Sequence, residues 1–72
     1  MISILFDDEN LEVKADGHAK YAVKGYDIVC ASVSCLIENY EVYEKNKEVY
    51  DFLKFSLKNL EESYPSNIRI VG

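Results

Sequence analysis

At 72 residues and a formal net charge of −5, the chain has room for one domain with a thin core and is too acidic for a nucleic-acid binder, which needs a basic patch. Its 49% apolar residues argue against disorder, and no apolar run approaches the roughly 20 residues that span a bilayer. A chain this short buries only about 60% of its unfolded surface, so dimerisation would help it.

Residues 1–72 therefore read as a single domain, and its elements follow in chain order. Ile2, Ile4 and Phe6 alternate with Ser3 and Leu5, as in a half-buried strand. Asp7-Asp8-Glu9-Asn10 is a turn cluster, read as a solvated hairpin tip because no further ligand spacing supports calcium. Leu11, Val13 and Ala15 alternate with Glu12 and Lys14, giving a second strand and hence a β-hairpin that Asp16-Gly17 ends. Because Met1 leads directly into a strand and an acidic turn, no signal peptide is expected.

His18 to Tyr26 reads as a loop that holds the single histidine. Lys20, Tyr21, Lys24 and Tyr26 are candidates to touch a peptide, or to be a solvated loop with partly packed tyrosines. Asp27 is a candidate N-cap, which makes Ile28, Val29 and Cys30 the first three helical positions. A thiol there lies among unsatisfied backbone N–H groups at the positive end of the helix dipole, and both favour the thiolate. The same amides are candidates to stabilise an oxyanion, and His18 is placed to serve as base. Taken alone, the spacing also fits a small buried cysteine and a solvated histidine.

From Asp27 to Tyr64 there is neither glycine nor proline, yet the apolar pattern breaks. Val29, Val33, Leu36, Ile37, Tyr40 and Tyr43 form one stripe; Val49, Phe52, Leu53, Leu57, Leu60 and Tyr64 form another. A continuous helix would put these roughly 200° out of phase. Two helices are predicted, with a break near Glu44-Lys45-Asn46, Asn46 capping the second and Pro65 ending it. Phe55 falls off the second stripe, as a dimer contact or the edge of a wide core face. Asn67 to Val71 reads as a last strand joining the hairpin. The expected fold is α+β: a small sheet, made of the N-terminal hairpin and a C-terminal strand, packed against two antiparallel helices.

Cys30 and Cys35 lie five residues apart, about 140° around a helix, and should not bridge. Two reduced thiols in the cytoplasm are expected, with Cys35 as a packing residue. One histidine and two divergent cysteines supply no four-ligand set, so neither a metal nor a cofactor is expected. Ser34 shares the flank of Cys30, either to support a site or to bond the carbonyl one turn back.

Gly17-His18-Ala19, then Gly25-x-Asp27-Ile28-Val29-Cys30-Ala31, then Val33-Ser34, resembles the signature of the ribosomal-processing cysteine protease family of bacteria. Leu57-Lys58-Asn59-Leu60-Glu61-Glu62-Ser63-Tyr64-Pro65 followed by Ile68 resembles that family's closing helix and strand. The resemblance implies a catalytic dyad of His18 and Cys30, with Asp27 and Ser34 in supporting places; Gly17, Ala19, Tyr21 and Tyr26, on and beside the loop, are the candidates for substrate binding. It further implies a homodimer that removes an N-terminal extension from large ribosomal subunit protein twenty-seven, or from a related ribosomal or viral substrate, cutting after an aromatic residue. The peptide is then the expected partner, with no nucleic acid and no membrane. The chain departs from the family in lacking a β-hairpin between the helices, in Lys20 where glycine is common, and in Cys35 where a small apolar residue is usual. The alternatives are a shortened relative that acts as a peptide-binding or dimerisation module, and a redox-responsive thiol protein.

Overall fold

The computed structural model describes residues 1–17 and 27–72. Among these, five elements follow in order: β1 (Ile2–Asp7), β2 (Glu12–Gly17), α1 (Ile28–Val42), α2 (Lys47–Ser63) and β3 (Ile68–Ile70). The sheet order is β2-β1-β3, with β2 antiparallel and β3 parallel to the central β1. Both helices cover one face of this sheet, so the α+β expectation holds.

Alternation makes β1 the floor of the core: Ile2, Ile4 and Phe6 are buried, while Ser3, Leu5 and Asp7 face solvent. Asp7 shapes the hairpin tip. Its carboxylate accepts the side-chain amide of Asn10 at 2.8 Å and the backbone N–H groups of Glu9 and Asn10 at 3.2 and 3.3 Å. These bonds, that of the Asn10 side chain foremost, hold the Asp7 carboxyl below its ordinary range. Leu11 then takes a φ of 54°, a strained angle for a branched residue, offset by its packing against the core.

Each helix starts on a side-chain cap. Asp27 caps α1, and the Asn46 side chain accepts the Val49 N–H at 2.9 Å to start α2. The break between them falls at 43–46, as the change of phase predicts. After α2, Tyr64 ends the last turn by donating its N–H to the Leu60 carbonyl, and Pro65 follows.

The helices divide the sheet between them. Tyr40 of α1 donates its hydroxyl to the Leu11 carbonyl at 2.5 Å, and Lys45 lies 3.5 Å from Glu12, so α1 runs over β2 with its C-terminal end at the hairpin tip. Tyr50 of α2 donates to Asp8 at 2.7 Å, and Glu61 accepts the Ile70 N–H, so α2 runs over β1 and β3.

The second apolar stripe faces the core as predicted at Leu53 and Leu57, with Val49, Leu60 and Tyr64 packed against its edge, but Tyr50 takes the place expected of Phe52. Its buried residues are Tyr50, Leu53 and Leu57, whereas Phe52 is 63% exposed. Tyr50 is fully buried, edge-on to Phe6 with ring centres 6.0 Å apart, and 6.2 Å from the ring of Tyr40. Tyr43 ends α1 as an exposed cap rather than a stripe residue. Phe55 is exposed. Among the described residues no helix is long and apolar enough to cross a membrane.

Candidate active site

Asp27 has an extended backbone, φ −81° and ψ 97°, that turns its side chain back over the first turn of α1. Its Oδ1 accepts the N–H groups of Val29 and Cys30, both at 3.0 Å, and its carbonyl accepts that of Ala31 at 3.1 Å. Val29 is fully buried and anchors this turn in the core. Cys30, its neighbour, is half-buried at the edge of the core. The sulfur is therefore held by a helix that is fixed at both the cap and the apolar face.

The capping geometry corrects one expectation. The sequence offers the first-turn amides as candidates to receive an oxyanion, but the Asp27 carboxylate takes two of them, those of Val29 and Cys30. Ile28 carries the first-turn amide that Asp27 does not engage. The cap is open to test: Asp27→Ala should cost about 1 kcal/mol and lower Tm by roughly 4–8 °C, whereas Asp27→Asn should keep most of that stability. Equal melting of wild type and Asp27→Ala would show that the cap does not fix this turn.

Ser34 is exposed one turn beyond Cys30 on the same flank. The bond to a carbonyl one turn back is made instead by Ser32, whose hydroxyl donates to Ile28 at 2.6 Å. Cys35 is exposed and accepts from the Asn39 side chain at 3.3 Å, so it is not the packing residue expected. The two cysteines do not form a disulfide. Among the described residues no group of histidine, cysteine, aspartate or glutamate side chains is placed to hold a metal ion.

Gly17 ends β2 with φ 95°, a left-handed angle that glycine adopts without strain. A Cβ here would also run into the carbonyl oxygen of Met1. Gly17→Ala should therefore destabilise by about 2 kcal/mol, read as a Tm lower by roughly 8–16 °C. An unchanged Tm would show that this turn relaxes freely. His18, Ala19, Tyr21 and Tyr26 lie outside the described residues, as do Lys20 and Lys24.

Asp27, Cys30 and Gly17 share one end of the fold. Ten residues back from Tyr40 at the hairpin tip, about 15 Å along α1, lies Cys30. Six residues on from Leu11, about 20 Å along β2, lies Gly17. Both paths run away from the tip.

The family model for cysteine protease Prp matches residues 1–43, more than half of the chain. The chain belongs to that cysteine protease family. The matched part takes in β1, β2, the segment between Gly17 and Asp27, and the whole of α1 with Cys30. The second family-like stretch, residues 57–65, lies outside it. Neither a curated protein nor a solved structure matches the chain.

A cluster of Asp8, Tyr50 and Lys54, not anticipated from the residues, ties the hairpin tip to α2. Lys54 donates to Asp8 at 3.0 Å, and its ammonium stands 5.3 Å from the ring centre of Phe6. The available signal was the spacing of Tyr50, Leu53, Leu57, Leu60 and Tyr64, which is as regular as the stripe chosen instead.

Proposed function

We propose that the chain is a cysteine endopeptidase in which Cys30 is the nucleophile and His18 the base. The thiolate sulfur of Cys30 adds to a peptide carbonyl after His18 has taken its proton. The tetrahedral adduct collapses to a thioester as His18 returns that proton to the leaving amine. Water, deprotonated by His18, then hydrolyses the thioester and frees the carboxyl product and the thiol. The observation that carries this reading is the half-buried Cys30 thiol in a capped first turn, within the residues that match the protease family. Asp27 holds that turn and is a candidate to orient His18.

The proposed substrate is the N-terminal extension of large ribosomal subunit protein twenty-seven, met in the cytoplasm by a homodimer. The net charge of −5 suits a basic peptide of that kind. The test is to incubate the protein with a peptide copying that extension and follow cleavage by mass spectrometry. Cleavage that is lost in His18→Ala supports the dyad; cleavage that survives it removes His18 from the mechanism. A second reading, a peptide-binding or dimerisation module, is favoured by the short connection at 43–46, where the resemblance leads one to expect a hairpin. Tight binding of the same peptide without cleavage would support it.

A further inference from the structure

The two edges of the sheet are finished differently. The Ile2 and Phe6 N–H groups donate to Asn67 and Gly72, and the Ile4 carbonyl accepts from Val71. The backbone groups of Ile2, Ile4 and Phe6 therefore point toward β3, and those of Ser3, Leu5 and Asp7 toward β2. Their partners across the hairpin are Asp16, Lys14 and Glu12. By alternation, the N–H and C=O groups of Val13 and Ala15 point away from β1, out of the sheet.

On the far side, the outward N–H groups of β3 are taken. The Ile68 N–H donates to the Tyr64 carbonyl at 3.1 Å and the Ile70 N–H to Glu61 Oε2 at 2.7 Å. No strand among the described residues pairs with the outer edge of β2, and Ala15 and Gly17 are exposed. An open edge of this kind binds extended chains through main-chain hydrogen bonds. The open edge ends at Gly17, at the end of the sheet where Cys30 lies, and His18 is the next residue in the chain.

We propose that an extended peptide, the substrate, docks as a fourth strand along the outer edge of β2, bonded to the backbone of Val13 and Ala15. This rests on the endopeptidase reading for what happens to the peptide, not for how it is held. Specificity then comes from alternate side chains of the peptide, and the main chain supplies affinity that tolerates sequence change.

Binding and cleavage are measured separately. The probe is the same peptide copying the ribosomal-protein extension, with single backbone N-methyl groups placed in turn along it. Binding is measured on Cys30→Ala, which does not depend on turnover. Methylation at every second amide should weaken binding about tenfold, with little change at the amides between. A uniform response along the peptide, or no binding of the unmodified peptide, overturns the proposal. On the protein side, Ala15→Pro removes the outward N–H without touching the pairing to β1, and proline is tolerated at such an edge. It should weaken binding about tenfold with Tm nearly unchanged, while Lys14→Ala and Asp16→Ala bind as wild type does. If Ala15→Pro fails to fold, the methylation series still decides. If Ala15→Pro instead changes the oligomeric state and leaves peptide affinity unaltered, the edge serves a second copy of the chain and the proposal falls. Period-two binding without cleavage by the wild type would keep the docking edge and remove the protease.

Discussion

Cys30→Ala is expected to lower cleavage of the peptide by about 10³-fold or more while the protein folds as before. The expectation separates chemistry from packing. Alanine keeps the backbone N–H that donates to Asp27 at 3.0 Å, so the first turn of α1 stays capped. The half-buried sulfur contributes little contact area, so Tm should fall by only a few degrees. No other group in that turn can form a thioester, so residual activity should approach that of peptide alone. Cys35→Ala is the control: its exposed thiol lies on another flank, and cleavage should be unaffected. A thiol-directed alkylating agent should label Cys30 faster in the wild type than in His18→Ala. Cleavage that persists in Cys30→Ala would remove this residue as the nucleophile.

Tyr50→Ala should produce the largest loss of stability, about 3–5 kcal/mol. A domain of this size has only about 4–10 kcal/mol in total, so the variant should be largely unfolded near 37 °C. The side chain is fully buried, fills the space between Phe6 and Tyr40, and links α2 to the hairpin tip through Asp8. Tyr50→Phe keeps the ring and should cost only about 1 kcal/mol, because Asp8 retains Lys54. A Tyr50→Ala protein as stable as the wild type by urea unfolding would mean that the three-ring cluster does not hold the core.

The same cluster contributes to the response to pH at both ends of the scale. The hydroxyl of Tyr50, and Lys54 after it, hold the Asp8 carboxyl below its ordinary value. That contribution is present above about pH 4 and is lost as the pH falls below it. Burial first, and the Asp8 carboxylate second, push the Tyr50 hydroxyl well above its ordinary value. Its contribution is intact below about pH 10 and is lost as the pH rises further. Tyr50→Phe should therefore flatten the loss of stability at the alkaline end, and Asp8→Asn the loss at the acid end.

Much of this fold is local chemistry and so could be read from the residues. The alternation of Ile2, Ile4 and Phe6 and the caps Asp27 and Asn46 each act within a few positions, and each is found where expected. The choice of Tyr50 over Phe52 on the inner face of α2 is less legible. Tyr50, Phe52 and Phe55 are all large aromatics, and which one turns inward depends on the ring of Phe6 and the carboxylate of Asp8, both more than forty residues away. The position of Cys30 followed from Asp27. That Asp27 would also occupy two of the amides beside the sulfur did not, because an N-cap and an oxyanion compete for the same donors. A last strand joining the hairpin is legible from Ile68 and Ile70; that it pairs with β1 rather than β2, and runs parallel to it, carries no local signal.

The parallel joint between Ile2 and Ile68 ties residues 66 positions apart, so closing it requires nearly the whole chain to be in place. The central strand lacks a neighbour on one side until then, and the floor beneath Val29 is incomplete. The geometry around the thiol is thus a property of cooperative folding rather than of the short motif that contains it, and an isolated peptide spanning that motif would be expected to lack it.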